Sequence, residues 1–288
     1  MTVKSRNLVY WTLFIWILFS GFFVSFMVAG ALVPDIIPAR QIISPVIASP
    51  EAGIPSGSQL LESLLSRPDA ANIFRVILVA GSSLAVAGVF AGLFIRFFRR
   101  ITASHLLFLY LFLFSLSGEL LKGFNFMLNY FGANEGLLLM ISRISLGMYL
   151  IGVLSGFTIS LYLLGIKYQH QGTTMLILFF LSGFIALGLP MNTSGLNANY
   201  LYETYYYREL LWSVGGLLIV AGLGYISHLW ERFSRQELAR VLFALMFLVG
   251  HALLHFSLTA LGGIVGGGMI ITGLTFYFLR LFYDYFWY

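Results

Sequence analysis

Residues 250 to 256 read GHALLHF, which sets His251 and His255 four apart in an otherwise apolar run. On a helix that spacing puts both imidazoles on one face, as metal binding requires. A second set is GELLK at 118 to 122, where Glu119 and Lys122 stand three apart on one helix face. Arg143 is a third ionisable group within an apolar stretch. Charged and ionisable side chains inside a lipid-embedded helix are costly, and they mark functional sites by default. The chemistry open to them is zinc binding, recognition of an anionic or zwitterionic ligand, proton relay, or a buried ion pair that fixes helix register.

Zinc on His251 and His255 needs further ligands, because structural sites have four and catalytic ones three protein ligands plus water. His105, His170 and His228 fall at or beyond the cytoplasmic ends of their spans, far from the pair in depth. Glu119 has suitable depth to complete a set of two histidines and a carboxylate, but it is also the counter-ion available to Arg143 or Lys122. A bis-histidine haem needs ligands on opposite faces, which two residues on one helix cannot supply. The expected cofactor is therefore none, with zinc on His251 and His255 as the alternative.

The elements that carry these residues follow from composition. Of 288 residues 59% are hydrophobic and 9% charged, with a mean hydropathy of +0.91, against roughly 25% charged in soluble domains. An all-α, polytopic integral membrane bundle is expected. Cysteine is absent, which removes disulfides, thiolate ligands and a thiol nucleophile. The net charge of +5 sits in short clusters beside apolar runs, the pattern that orients membrane proteins, and offers no basic face for nucleic acid.

Eight stretches meet the ~20 apolar residues that a spanning helix needs: 8 to 30, 73 to 95, 103 to 126, 137 to 166, 173 to 189, 209 to 227, 241 to 261 and 264 to 283. The last division rests on a short glycine turn in ALGGIVGGG, and seven spans with one long final segment is the fallback. With the N-terminus inside, ten positive residues fall on cytoplasmic segments and five on outer ones. Both termini are thus expected in the cytoplasm, and a bacterial inner membrane is the expected location. The first apolar run is about twice as long as a cleavable signal allows and reads as an uncleaved anchor over 1 to 30. Residues 31 to 72 hold six of the seven prolines and read as an outer linker, with a short amphipathic helix at SQLLESLLS. Residues 73 to 288 form a seven-helix bundle.

Depth counting at ~1.5 Å per residue places Glu119, Arg143 and His255 in one slab of the outer half, with Lys122, Arg208 and Glu209 just above. Arg143, reached from the third span through a short outer loop, is expected to pair with Glu119 unless Lys122 takes that role. Tyrosines crowd the outer mouth of the sixth span in YLYETYYYREL, among them Tyr202 and Tyr205; they suit an interfacial belt or the wall of a ligand vestibule. Small residues at four-residue spacing, such as Gly88 and Gly92, Gly152 and Gly156, and Gly262 and Gly266, suit close helix packing within the bundle or a homodimer face.

The histidine pair resembles the final-helix histidines of the seven-helix zinc hydrolases that include alkaline ceramidases and progestin-receptor-like proteins. That resemblance covers His251 and His255 only, and it implies a metal-dependent intramembrane hydrolase. The family pattern also has an aspartate, a serine and a third histidine in early helices. The third and fourth spans here contain no aspartate and no histidine of suitable depth. The layout of anchor, outer segment and seven spans is similar to bacterial seven-helix receptor modules, at the level of topology. A receptor of this layout with no output domain would signal through another protein. A retinal lysine is missing from the last helix, the final lysine being Lys167. GVLSGF at 152 to 157 lacks the GxSG spacing of a rhomboid serine.

The expected function is a non-enzymatic sensor-like protein or accessory subunit that binds a small or lipidic, anionic or zwitterionic ligand from the outer side. Its candidate ligand contacts are Glu119, Lys122, Arg143, Arg208, Glu209, Tyr202, Tyr205 and His255. The alternatives are the hydrolase and a proton-coupled transporter in which Glu119 cycles its proton. Expected partners are membrane lipid, a cytoplasmic or membrane protein, and a second copy of the chain.

Overall fold

The computed structural model describes residues 3–32, 68–99, 101, 103–130, 133–164, 171–197, 199–231, 234–257 and 259–286. The expected helix at SQLLESLLS lies outside the described residues. Nine α-helices are described: α1 Val3–Leu32, α2 Pro68–Phe98, α3 Ser104–Leu116, α4 Leu120–Tyr130, α5 Glu135–Leu163, α6 Gln171–Gly188, α7 Tyr207–Glu231, α8 Arg235–Phe256 and α9 Ala260–Phe286. A 3₁₀ turn at Ser117–Glu119 joins α3 to α4. Between α6 and α7, β1 Met191–Asn192 pairs antiparallel with β2 Glu203–Thr204.

Among the described residues seven stretches are long and apolar enough to cross a membrane, and α3 with α4 counts as one of them, His105–Asn129. They fall on the second to eighth stretches read from the sequence, and α1 covers the first. This is the architecture of an integral, multi-pass helical membrane protein. α2 begins at Pro68, so its first residues belong to what the sequence suggested was linker; proline is well placed at the start of a helix, where its missing N–H has no intrahelical partner.

Position in the bundle follows from which faces of each helix are apolar. α3 reads LLFLYLFLF and is apolar all round, the pattern of a helix with no solvent or lipid face. Leu106 through Leu113 are accordingly sealed at 0% exposure. α6 is the opposite case: Phe180 and Phe184 are 75% and 77% exposed, so its apolar surface faces outward, as lipid contact requires.

One boundary differs from expectation. The chain turns between α8 and α9 at Ser257 and Thr259, and the glycines of ALGGIVGGG lie inside α9. The Ser257 hydroxyl bonds the Thr259 carbonyl at 3.0 Å, and the Thr259 hydroxyl accepts from Gly262 N at 3.1 Å. These side chains close the turn without glycine. The glycines instead bring two helix backbones together. A Cβ on Gly266 would lie 2.8 Å from Leu254 N and 2.9 Å from the Gly250 carbonyl oxygen, and one on Gly250 would lie 2.8 Å from the Gly266 carbonyl oxygen. Lipid supplies no hydrophobic force between helices, so such backbone contact is a main source of association.

Gly266→Ala is expected to lower stability by about 1–3 kcal/mol through overpacking, read as a lower unfolding midpoint in detergent. Gly267→Ala, whose Cβ would meet nothing within 4 Å, is expected to leave the midpoint unchanged. Equal midpoints for the two variants would remove the α8–α9 contact as a stabilising feature.

Candidate functional site

Glu119 reaches the bundle interior through a local irregularity in its helix. The Ser115 and Ser117 hydroxyls bond the carbonyls three residues back, Phe112 and Phe114, both at 2.7 Å. Such back-bonding competes with the helical ladder and bends it. Gly118 then passes Met148 of α5 so closely that a Cβ there would lie 2.5 Å from the Met148 Cβ. The chain tightens into the 3₁₀ turn and presents Glu119 to α8.

There Glu119 meets two partners. Its Oε2 lies 2.5 Å from Lys122 Nζ, and its Oε1 accepts from His255 Nδ1 at 2.9 Å. Glu119 and Lys122 are 2% and 1% exposed. Lys122 also donates to the carbonyls of Leu254 and His255 at 3.2 and 3.0 Å. These carbonyls belong to the last turn of α8, where helical acceptors lack partners and the dipole favours a cation. Asn199 Nδ2 adds bonds to the His255 and Ser257 carbonyls at 3.3 and 3.4 Å. The polar layer is thus a cap on the end of α8, built by α4 and by the loop before α7.

That loop is anchored by a second small network. Asn125, one turn beyond Lys122, donates to the Tyr200 carbonyl at 2.7 Å and to the Ser142 hydroxyl at 3.2 Å. Ser142 Oγ donates to Leu138 O at 2.9 Å and accepts from Tyr202 N at 3.0 Å. Asn197 Oδ1 accepts from Asn199 N and Leu201 N at 2.8 and 3.2 Å. Tyr200 sits at φ 57, which costs a bulky residue about 1–3 kcal/mol; the Asn125 bond to its carbonyl and the ring contact with Phe126 at 4.8 Å hold it there.

Between this loop and the polar layer lies a small cleft, open at its mouth, with a volume of about 50 Å³. Tyr202, Glu203, Tyr207 and Asn199 wall it, and His255 forms part of its floor. Burial, and then the Glu135 carboxylate, raise the Tyr202 phenol above its ordinary value, so at neutral pH it is an uncharged hydroxyl. Tyr149 of α5 stacks on His255 with ring centroids 4.1 Å apart and planes within 9°. It also contacts His251 at 5.0 Å.

His251 occupies different surroundings. Its ring is fully buried against Phe112 and Tyr149, and among the described residues neither nitrogen makes a hydrogen bond of normal geometry. Gly152 makes room for it: a Cβ there would lie 2.5 Å from His251 Nε2. Among the described residues no group of three or more histidine, aspartate or glutamate side chains is arranged to hold a metal ion. His105 stacks on Tyr285 and His228 bonds Glu237 at the far end of the bundle.

Of the residues singled out from the sequence, the structure brings Glu119, Lys122 and His255 into one network and sets Tyr202 beside them in the cleft. Arg143 does not join: it is half-buried on α5, its Nε is buried without a hydrogen-bond partner, and among the described residues no carboxylate lies within ion-pair distance of it. Lys122 and His255 take the positions at Glu119, since the 3₁₀ turn aims that carboxylate at α8. Tyr205, Arg208 and Glu209 are exposed and do not line the cleft. Asn125, Ser142, Tyr149, Asn197, Asn199 and Glu203 were not singled out. Asn125 had a signal: it continues the three-residue spacing of Glu119 and Lys122 along the same helix face.

The chain matches no family model, no curated protein and no solved structure.

Glu119→Gln leaves Lys122 buried without a counter-charge, and a loss of about 3–5 kcal/mol is expected, read from unfolding in detergent. Replacing both members, Glu119→Gln with Lys122→Met, is expected to recover part of that loss. A double variant no more stable than the single one would show that the carbonyl contacts of Lys122, and not its charge pairing, hold the layer.

Proposed function

We propose that the protein is a non-enzymatic, receptor-like or accessory membrane protein that binds a small polar ligand entering from the outer side. The observation that carries this reading is the cleft walled by Tyr202, Asn199 and Glu203 with His255 in its floor. Concave sites that combine apolar walls with a few convergent polar groups are the usual ligand sites. The cations expected at the ligand do not line the cleft: Lys122 is engaged by Glu119 and two carbonyls, and Arg143 lies elsewhere. The charged or ionisable lining groups are instead Glu203, which accepts from Asn197 Nδ2 at 3.1 Å, and His255, whose Nδ1 is engaged by Glu119. One carboxylate and one imidazole suit a zwitterion, its ammonium toward Glu203 and its acceptor oxygen toward the free edge of His255. A ligand bonded to His255 would pull on the Glu119 contact and on the last turn of α8, which supplies a route from the outer side into the bundle.

The test is a thermal-shift titration of the detergent-solubilised protein with a panel of amino acids and choline-type zwitterions. A stabilising compound is expected to lose about tenfold or more in affinity with His255→Ala and with Glu203→Gln, each removing a charge-assisted bond worth roughly 1.5–3 kcal/mol. A compound whose affinity is the same in both variants binds outside the cleft, and that result would sink the reading.

A second reading rests on the same geometry. His255 faces the cleft and hydrogen-bonds the buried Glu119, and an imidazole between an aqueous cleft and an internal carboxylate is a proton donor in reach. In a proton-coupled transporter Glu119 would accept that proton. Proton flux into liposomes is expected to be abolished in Glu119→Gln; flux at the wild-type rate in that variant would exclude the relay.

A further inference from the structure

At the end of the bundle opposite the cleft, α1 and α2 run antiparallel and leave a groove between them. Gly88 lies over Ile17 and Gly92 over Phe14, with the Cβ position of residue 92 at 3.8 Å from the Phe14 ring. The groove has a volume of about 510 Å³ and is open along the outside of the bundle. Trp11, Phe14, Gly92 and Phe97 line it, and Arg96 and Arg99 stand at its end. Trp11 and Phe97 are 45% and 36% exposed, so the surface is one that lipid would cover.

Among the described residues the two arginines have no counter-charge within ion-pair distance. The ion pairs at this end of the molecule join Arg240 and Arg280 to Glu237 and Asp284. Arg96 and Arg99 are exposed and take part in none of them among the described residues, and the Arg96 guanidinium rests 5.8 Å from the Phe97 ring. Arg6 of α1, at the same end, is 3% exposed, and its Nε and Nη2 have no hydrogen-bond partner among the described residues. An apolar channel ending in guanidinium groups that carry no ion pair among the described residues is complementary to one amphiphile: an acyl chain with an anionic phosphodiester at its head. Guanidinium donors match phosphate oxygens in a fork geometry that an ammonium lacks. Basic pockets between transmembrane helices take anionic head groups for this reason.

The geometry points to a binding site for an anionic phospholipid between α1 and α2, with the phosphate on Arg96 and Arg99 and one acyl chain along Trp11, Phe14 and Gly92. This site is separate from the His255 cleft, and its occupancy does not depend on any ligand there. Free phosphate shares the head-group chemistry but gains nothing from the apolar groove, and that difference separates the two sources. Gly92 is what opens the groove to a chain, so filling it tests the tail independently of the charge.

The experiment reconstitutes the full chain in nanodiscs of phosphatidylcholine with a minor share of phosphatidylglycerol, then counts retained lipids by native mass spectrometry. The wild-type protein is expected to retain one phosphatidylglycerol with a preference of roughly thirty-fold over phosphatidylcholine, from two surface arginines at the usual attraction for each. Arg96→Gln with Arg99→Gln is expected to bring the preference to within twofold, while Arg96→Lys with Arg99→Lys keeps most of it. Gly92→Leu, which retains both charges, is expected to expel the lipid, and excess inorganic phosphate should not compete in the wild type. Equal retention of the two lipids by the wild type, or a preference that survives the glutamine pair, overturns the site. Retention in Gly92→Leu together with competition by phosphate would assign the arginines to a free anion. Should the glutamine pair fail to fold, the Gly92→Leu and lysine variants decide between the same outcomes.

Discussion

Lys122 is held in the interior by the Glu119 carboxylate and the carbonyls of Leu254 and His255, among other contacts. An ammonium taken out of water loses several kcal/mol of hydration and stays charged only where its surroundings replace that hydration nearly completely. Around this demand this end of the bundle is arranged. α8 must end where its carbonyls can accept from Lys122, and His255 must turn its Nδ1 to the other oxygen of Glu119. Asn199 must arrive from the loop before α7 to share the His255 carbonyl. The cleft is what remains above the layer once these contacts are made.

The lower part of α8 answers to another constraint. Gly250 and Gly266 let its backbone touch that of α9, a contact that a single methyl on either residue would break. α8 is thus fixed by backbone contact on one side and by a charge network at its end. The two histidines divide accordingly. His255 lies in the network and in the cleft wall, whereas His251, one turn deeper, is enclosed by Phe112, Tyr149 and the bare backbone of Gly152.

Much of this was legible in the sequence, because the bilayer is a severe filter on composition. Seven of the expected stretches correspond to helices long and apolar enough to span, since ~20 apolar residues have few other uses. Depth counting along those helices brought Glu119 and His255 to one level, and the three-residue spacing put Lys122 on the Glu119 face. Depth does not supply rotation about the helix axis, however. Arg143 has the right level and stands on a neighbouring helix, but the turn at Ser117–Glu119 directs the carboxylate to α8. The glycine run before the last span shows a similar limit: glycine serves a turn and a close helix crossing equally well, and only the neighbour at Gly250 distinguishes them.

The sequence by itself determined a helical, multi-pass membrane protein and the identity of the few ionisable residues that lipid makes expensive, because both follow from one-dimensional quantities: apolar length and charge. The tertiary structure alone decided which cation meets Glu119, which histidine faces the cleft, and that Asn125, Ser142 and Asn199 fasten the loop over it. Those outcomes depend on where each side chain points around its helix and on carbonyls freed at a helix end, and neither is written in the spacing of residues along the chain.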